Sequence, residues 1–151
     1  MANTQAICTS FKTELLSGIH AFGVTVVRAA TTVDTFKAAL YVATATINAT
    51  TTAYSATNEV SGANYTAGGI TVTNATAPSF TTTTAFWTPS ASYSWTTVTL
   101  ATSFDTVLTY NSTQTNRACL VNTFGATTVT AGNFTLTMPS NDAVNGLLRL
   151  A

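Results

Sequence analysis

The stretch DTFKAALYVATATI, residues 34–47, decides the fold of this chain. Its large apolar residues Phe36, Leu40 and Val42 lie an even number of positions apart, and a period of two places them on one face of a strand. The pattern predicts a half-buried β-strand over residues 35–46. Because an apolar face needs a partner, we expect the chain after it to form strands that pack back onto this one.

The length and composition are those of one domain with an unusually neutral surface. A domain spanning all 151 residues, 1–151, can bury roughly 70% of its unfolded surface, which is enough for a core without disulfides or metals. Charged residues make up 7% of the chain, against about 25% in ordinary globular domains. Threonine makes up about a quarter of it, which favours strands and a hydroxyl-rich surface.

The charge pattern argues against two classes of partner. The formal net charge is zero and the basic residues are scattered singly, so the chain lacks the basic patch that binds nucleic acid. It also lacks a signal peptide and an apolar run long enough to span a bilayer, so we expect cytoplasmic synthesis and no membrane partner. Low charge removes the repulsion that keeps small proteins apart, which favours a structural role inside an assembly.

Periodicity predicts one helix followed by eight or nine short strands. Ile7, Phe11 and Leu15 recur at steps of four and predict an N-terminal α-helix over residues 5–17. The pattern indicates a mainly-β fold, an antiparallel β-sandwich or flattened barrel with this one helix. Besides 35–46, the predicted strands cover residues 24–27, 70–73, 81–87, 95–100, 105–110, 117–124, one ladder made of 127–130 and 134–138, and 147–151.

No group of residues forms a recognisable catalytic, cofactor-binding or metal-binding motif, and we predict that the chain is not an enzyme. The single histidine, His20, has apolar neighbours in the sequence, which favours a satisfied structural or surface imidazole over a catalytic or metal-binding one. Cys8 and Cys119 are predicted to be small buried residues rather than a disulfide or metal site. The acidic residues are spread one per predicted element and indicate no hydrolytic pair: Glu14, Asp34, Glu59, Asp105 and Asp142.

Two further groups admit a binding role. Gly62, Gly68 and Gly69 form a glycine-rich window, but a strand follows it instead of the helix that a phosphate site needs, so tight turns are favoured. Aromatic side chains could stack on sugars in a lectin-like site, although packing in the core or an interface is favoured. They are Tyr54, Tyr65, Trp87, Tyr93 and Trp95.

Five blocks of the sequence carry a resemblance to a known family. They are SFKTELLSGIHAF, DTFKAALYVATATI, TTAYSATNEVSGANYTAGG, LTYNSTQTNRACLVNTFG and GNFTLTMPSNDAVNGLLRLA. In this order, and over nearly the whole chain, they resemble small β-rich virion structural proteins of tailed bacteriophages and prophages. The chain departs from the family pattern in a longer connection over 22–33, in a weak match over 83–97, and at residues 126–128, where charged residues are expected.

The resemblance implies a component of the virus particle with no enzymatic activity. We expect a capsid decoration or cement protein that is made in the bacterial cytoplasm and stabilises the head in the virion. Its expected partners are the major capsid protein or other virion proteins and further copies of itself, with a trimer as the favoured homo-oligomer. The alternatives are a receptor- or glycan-binding module of a tail or head fibre, or a tail or neck component.

Overall fold

The computed structural model describes residues 3–16, 18–23 and 33–150, and in them the chain is mainly β with antiparallel sheets. Two sheets contain all the described strands. One has five strands in the order β1-β7-β6-β2-β3, and the other has three in the order β4-β5-β8. The elements are β1 (Ala6–Ile7), α1 (Thr9–Leu16), β2 (Phe36–Val42), β3 (Ile70–Thr71), β4 (Ser79–Thr81), β5 (Thr84–Trp87), β6 (Tyr93–Asn111), β7 (Arg117–Leu136) and β8 (Leu148–Leu150).

Strand β2 confirms the predicted framework strand but is buried on both faces. Phe36 and Leu40 are fully buried, as predicted, whereas Val42 is only half-buried. On the opposite face Ala39 and Tyr41 are also buried, so the predicted half-buried strand is wrong. The connection over 43–69 explains the difference. Its residues 58–60 pair with the part of β2 that β3 does not reach. In addition, the Ser55 carbonyl accepts a hydrogen bond of 2.6 Å from the Tyr41 hydroxyl.

Strands β6 and β7 are much longer than predicted. The predicted strands 95–100 and 105–110 are parts of the single 19-residue β6, and the predictions 117–124, 127–130 and 134–138 fall largely in the 20-residue β7. The pairing of β6 with β7 shifts register at several points, for example between Leu100 and Phe104. Such bulges bend a strand without ending it, so the polar stretches that resemble turns in the sequence lie inside continuous strands.

The small sheet contains a hairpin where the sequence predicts one strand. Within the predicted strand 81–87, Thr82 adopts a positive φ of 56° and reverses the chain between β4 and β5. The C-terminal strand is confirmed as β8, which pairs with β5. The sequence does not reveal this reversal. Residues 81–84 are four consecutive threonines, which favour a strand, and the segment has no glycine or proline to mark a turn.

The N-terminal helix predicted over residues 5–17 is not supported as a single element. Ala6 and Ile7 form β1 and pair with Val121 and Leu120 of β7. The helical segment that follows, α1, has eight residues, fewer than the roughly 12 to 15 that an isolated helix needs, so its stability comes from packing. The short strand predicted over 24–27 lies outside the described residues.

The core joins the two sheets through a cluster of rings. Trp87 of β5 is 2% exposed, and its ring centroid lies 4.7 Å from that of Phe22. Phe22 in turn stacks on Phe36 of β2 at 4.4 Å. The ring of Phe11 from α1 meets that of Phe22 edge-on at 5.8 Å. The segment over 18–23 therefore passes between the helix, the large sheet and the small sheet.

Candidate functional site

A buried group of polar side chains lies next to this ring cluster. We call it the polar cluster and define it as Glu14, His20, Asp34, Asn111 and Arg117. The first four are less than a tenth exposed, and Asn111 is not exposed at all. Burial of so many polar groups is costly unless each one is hydrogen-bonded. Their contacts therefore decide whether the cluster is a structural centre or a reactive one.

Glu14 links the helix to two other parts of the fold. Its Oε2 lies 2.7 Å from Nε2 of His20, and its Oε1 accepts a hydrogen bond of 2.5 Å from the guanidinium of Arg117 at the start of β7. The Arg117 side chain is 41% exposed while that of Glu14 is 7% exposed. The ion pair therefore connects a buried carboxylate to a cation that reaches the surface, which lowers the cost of burying the charge.

Asn111 holds the other side of the imidazole. Its amide Nδ2 donates to Oδ2 of Asp34 at 2.9 Å and lies 3.0 Å from Nδ1 of His20. Its Oδ1 accepts the backbone N–H groups of Thr113 and Gln114, each at 3.1 Å. Every hydrogen-bonding group of the Asn111 side chain is thereby used, which fixes the end of β6 against the segment that leads into β2.

These contacts assign the protonation state of His20. An amide donor facing Nδ1 requires a lone pair there, so the neutral ring carries its proton on Nε2 and donates it to Glu14. Burial lowers the pKa of His20 below its usual value of 6.5, against the opposing effect of the Glu14 carboxylate. The imidazole is therefore neutral and oriented at neutral pH.

Cys119, His20 and Glu14 are the residue types that cysteine-dependent enzymes use as nucleophile, base and orienting carboxylate. The Sγ of Cys119 lies 3.7 Å from Nδ1 of His20, with Glu14 on the far side of the ring. However, the thiol is 1% exposed, and burial raises its pKa well above 9.0, so it stays protonated. The cavity beside it has a volume of about 10 Å³, room for about one water molecule. No substrate can reach the sulfur in this arrangement.

The polar cluster agrees with a structural role for His20 and shows contacts that its sequence neighbours do not reveal. The neighbours of His20 in the sequence are apolar, but its side chain contacts Glu14 and Asn111 in the fold. Glu14 and Asp34, which lie in different predicted elements, contact the same imidazole–amide pair.

A half-buried carboxylate, Glu59, organises the connection over 43–69. Its Oε2 accepts the hydroxyl of Tyr54 at 2.6 Å. Its Oε1 accepts the hydroxyl of Tyr65 at 2.7 Å and the backbone N–H of Gly68 at 2.8 Å. Tyr110 donates to the Gly68 carbonyl at 2.8 Å, and burial, together with the Glu59 charge, raises its pKa to about 12. All these groups stabilise the loop, and none is left to bind a ligand.

The glycine-rich window forms tight turns, as predicted. Gly68 and Gly69 have φ angles of +87° and +70°, a region that favours glycine. A side chain at Gly69 would place its Cβ 1.8 Å from the Ala38 carbonyl oxygen. The window therefore lets the loop return closely along β2, and the amide of Gly68 is already used by Glu59.

The remaining acids serve local structure. Asp105 accepts a hydrogen bond of 2.6 Å from the Asn3 side chain and so ties the N-terminal segment to β6. Asp142 accepts the backbone N–H groups of Val144 and Asn145 at 2.8 and 2.7 Å. Hydrogen bonds from Asn145 lower the pKa of Asp142. Each carboxylate closes a turn or tethers a segment.

The aromatic residues considered for sugar stacking are mostly in the core. Trp87, Tyr93 and Trp95 are at most 3% exposed, which confirms the packing prediction for them. Tyr54 and Tyr65 are half-buried, and Glu59 binds both hydroxyls. The ring of Tyr54 also stacks on that of Tyr110 at 4.6 Å.

Both cysteines are free and buried, as predicted, although they lie opposite each other. The backbone N–H of Cys8 donates to the carbonyl of Cys119 at 3.2 Å, one position beyond the pairing of β1 with β7. Burial raises the pKa of Cys8 to about 11.

Two searches of the described residues gave negative results. Within residues 3–16, 18–23 and 33–150, no group of three or more histidine, cysteine or acidic side chains is arranged to hold a metal ion. In the same part of the chain, no helix has the length and hydropathy to cross a membrane.

Comparison with known proteins gave no match: no family model, no curated protein and no solved structure is significantly similar to this chain.

Proposed function

We propose that this chain is a structural protein of a tailed bacteriophage or prophage particle, and specifically a decoration or cement protein on the outside of the head. In this proposal it forms a homo-oligomer, with a trimer favoured, and contacts the major capsid protein. Its two sheets form a small antiparallel sandwich that serves as a rigid block. Its location is the virion, after synthesis in the bacterial cytoplasm.

The observation that carries the proposal is the absence of charge over a long surface-lying part of the fold. No charged side chain occurs between Arg117 and Asp142, a stretch that contains nearly all of β7. From Thr123 onward the residues of β7 are half-buried or exposed. Surfaces of free monomers normally carry charges of both signs, whereas protein interfaces are depleted of charge at their centres. An uncharged surface of this extent suits a protein that spends its life in contact with others.

The chemistry of two carboxylate centres, one at the buried Glu14 and one at the half-buried Glu59, also supports a structural role. Glu14 and Glu59 are satisfied by partners from distant segments, and the thiol beside His20 has no space for a substrate. Buried and fully hydrogen-bonded networks of this kind fix one arrangement of the chain. A cement protein needs such rigidity, because many weak contacts add up only if each copy presents them in the same geometry.

The proposal is tested with particles assembled without this chain. Purified chain added to such heads is expected to bind saturably and to raise the temperature at which the heads release their genome. Heads that already contain the chain serve as the control and should bind little more. Failure to bind to the heads would refute the decoration assignment.

The same experiment separates the alternatives. Saturable binding to tails or necks instead of heads would favour a tail or neck component. Saturable binding to host polysaccharide or whole cells would favour a receptor- or glycan-binding module. None of the aromatic residues first considered for such a module has a free, exposed ring and hydroxyl, so the decoration role is preferred.

A further inference from the structure

We infer that the outer edge of β7 over residues 122–136, together with the groove beside it, binds a second copy of this chain. The inference rests on the proposed function and deepens it, because it names the surface through which copies associate. We call this surface the β7 edge.

The backbone of the β7 edge has no partner among the described strands. β1 pairs with β7 only at Leu120 and Val121. The chain before β1 then leaves the sheet, because the Thr4 N–H donates to the Ile47 carbonyl at 3.0 Å. From Asn122 onward, β7 therefore pairs on one side only, with β6. An unpaired row of N–H and C=O groups is a template for another strand.

A groove opens at the point where β1 departs. It has a volume of about 580 Å³ and is lined by Ile7, Leu120 and Asn122 on one side and by Leu136 and Met138 on the other. Both ends of the β7 edge reach this groove because bulges bend the strand, and the rings of Phe124 and Phe134 meet at 4.9 Å. The groove is thus continuous with the unpaired backbone.

The charge pattern selects a second copy as the occupant of this groove. Natural edge strands avoid pairing with each other through lysines, prolines, inward-pointing charges or bulges. Of these devices the β7 edge has only bulges, since no charged residue occurs between Arg117 and Asp142 and the next proline after Arg117 is Pro139. The edge of one copy can therefore enter the groove of the next without like charges facing each other, and a head-to-tail contact of this kind closes into a ring such as the proposed trimer. An acidic strand from another protein would find one opposite charge at the groove, that of Arg149, and none along the edge itself.

The test uses the full chain and measures its mass in solution over a dilution series by sedimentation equilibrium. The wild-type chain is expected to associate at high concentration. The variant Thr128→Lys/Thr130→Lys, which adds two charges at exposed positions of the β7 edge, should associate at least about tenfold more weakly, because lysines block edge pairing. The matched variant Thr57→Lys/Thr66→Lys adds the same charge at exposed loop positions and should associate like the wild type.

Hydrogen exchange of the wild-type chain provides a measurement that needs no variant. Amides over 122–136 should exchange more slowly at high than at low concentration, whereas those over 48–58 should not change. A chain that is monomeric at every concentration, or an association that the edge lysines leave intact, would overturn the inference. Protection of the β7 edge only after heads are added would overturn it in favour of a strand from another particle protein. The proposed function fails separately, if the chain associates with itself but does not bind heads.

Discussion

The substitution Phe36→Ala tests the central packing of the fold. Phe36 is fully buried on β2 and lies among three rings: Phe22 at 4.4 Å, Trp87 at 6.3 Å and His20 at 6.4 Å. Truncation of such a side chain removes its transfer free energy and leaves a cavity between the two sheets, so the free energy of unfolding should fall by about 3–5 kcal/mol. In a chain of this size, that corresponds to a decrease in Tm of roughly 6–20 °C.

The measurement is equilibrium unfolding in urea, with the midpoint and slope fitted separately. We expect a lower midpoint at an unchanged slope, because the substitution alters stability and not the area exposed on unfolding. Phe80→Ala is the matched control, since Phe80 on β4 is 76% exposed and its truncation should change stability by no more than about 0.5 kcal/mol. Equal effects of the two substitutions would refute the placement of Phe36 between the sheets.

Three further predictions concern the polar cluster and the loop over 43–69. Because burial lowers the pKa of His20 below 6.5, the unfolded chain binds its proton more readily, so stability should be fully present above pH 6.5 and decrease as the pH falls below it. Thermal unfolding from about pH 8 to about pH 5 measures this, and His20→Gln should flatten the profile. Gly69→Ala should destabilise the fold by at least about 1 kcal/mol, because the residue has a positive φ and its Cβ would meet the Ala38 carbonyl. Glu59→Gln should lower the free energy of unfolding by about 1–3 kcal/mol, since charge-assisted hydrogen bonds are lost.

Each of these predictions has its own control. A pH profile for His20→Gln as steep as that of the wild type would assign the acid sensitivity to other groups. Gly125→Ala tests the glycine argument, because a Cβ there meets nothing within 4 Å and the substitution should be nearly neutral. For Glu59→Gln, unchanged stability together with unchanged amide exchange at Gly68 would contradict the proposed role of the carboxylate.

The sequence predicts strand β2 well and its surroundings poorly. A period of two is a local property of the chain, so Phe36 and Leu40 could be assigned to the core from spacing alone. Burial of Tyr41 depends on the loop that contains Ser55, whose carbonyl accepts the Tyr41 hydroxyl. The sequence of that loop has no hydrophobic period, so it does not show where the loop packs. The lengths of β6 and β7 do not follow from the sequence for a related reason. A bulge interrupts the period of two, but the strand continues past it because it stays paired with its neighbour.

The polar cluster could not be predicted from spacing at all. Glu14 and Arg117 are 103 positions apart, and His20 and Asn111 are 91 apart. No periodic or motif-based argument links residues at such separations, and only the pairing of β1, β2, β6 and β7 brings them together. Isolated polar residues in otherwise apolar or neutral blocks were the available signal.

The most direct test of the account is a cryo-electron microscopy map of the particle that the parent phage or prophage produces. The account predicts density for this 15.7 kDa domain at regularly repeated positions on the outer surface of the head, with neighbouring copies joined through the β7 edge. A head shell without this chain would contradict the decoration role, and copies joined through any other surface would contradict the inferred contact.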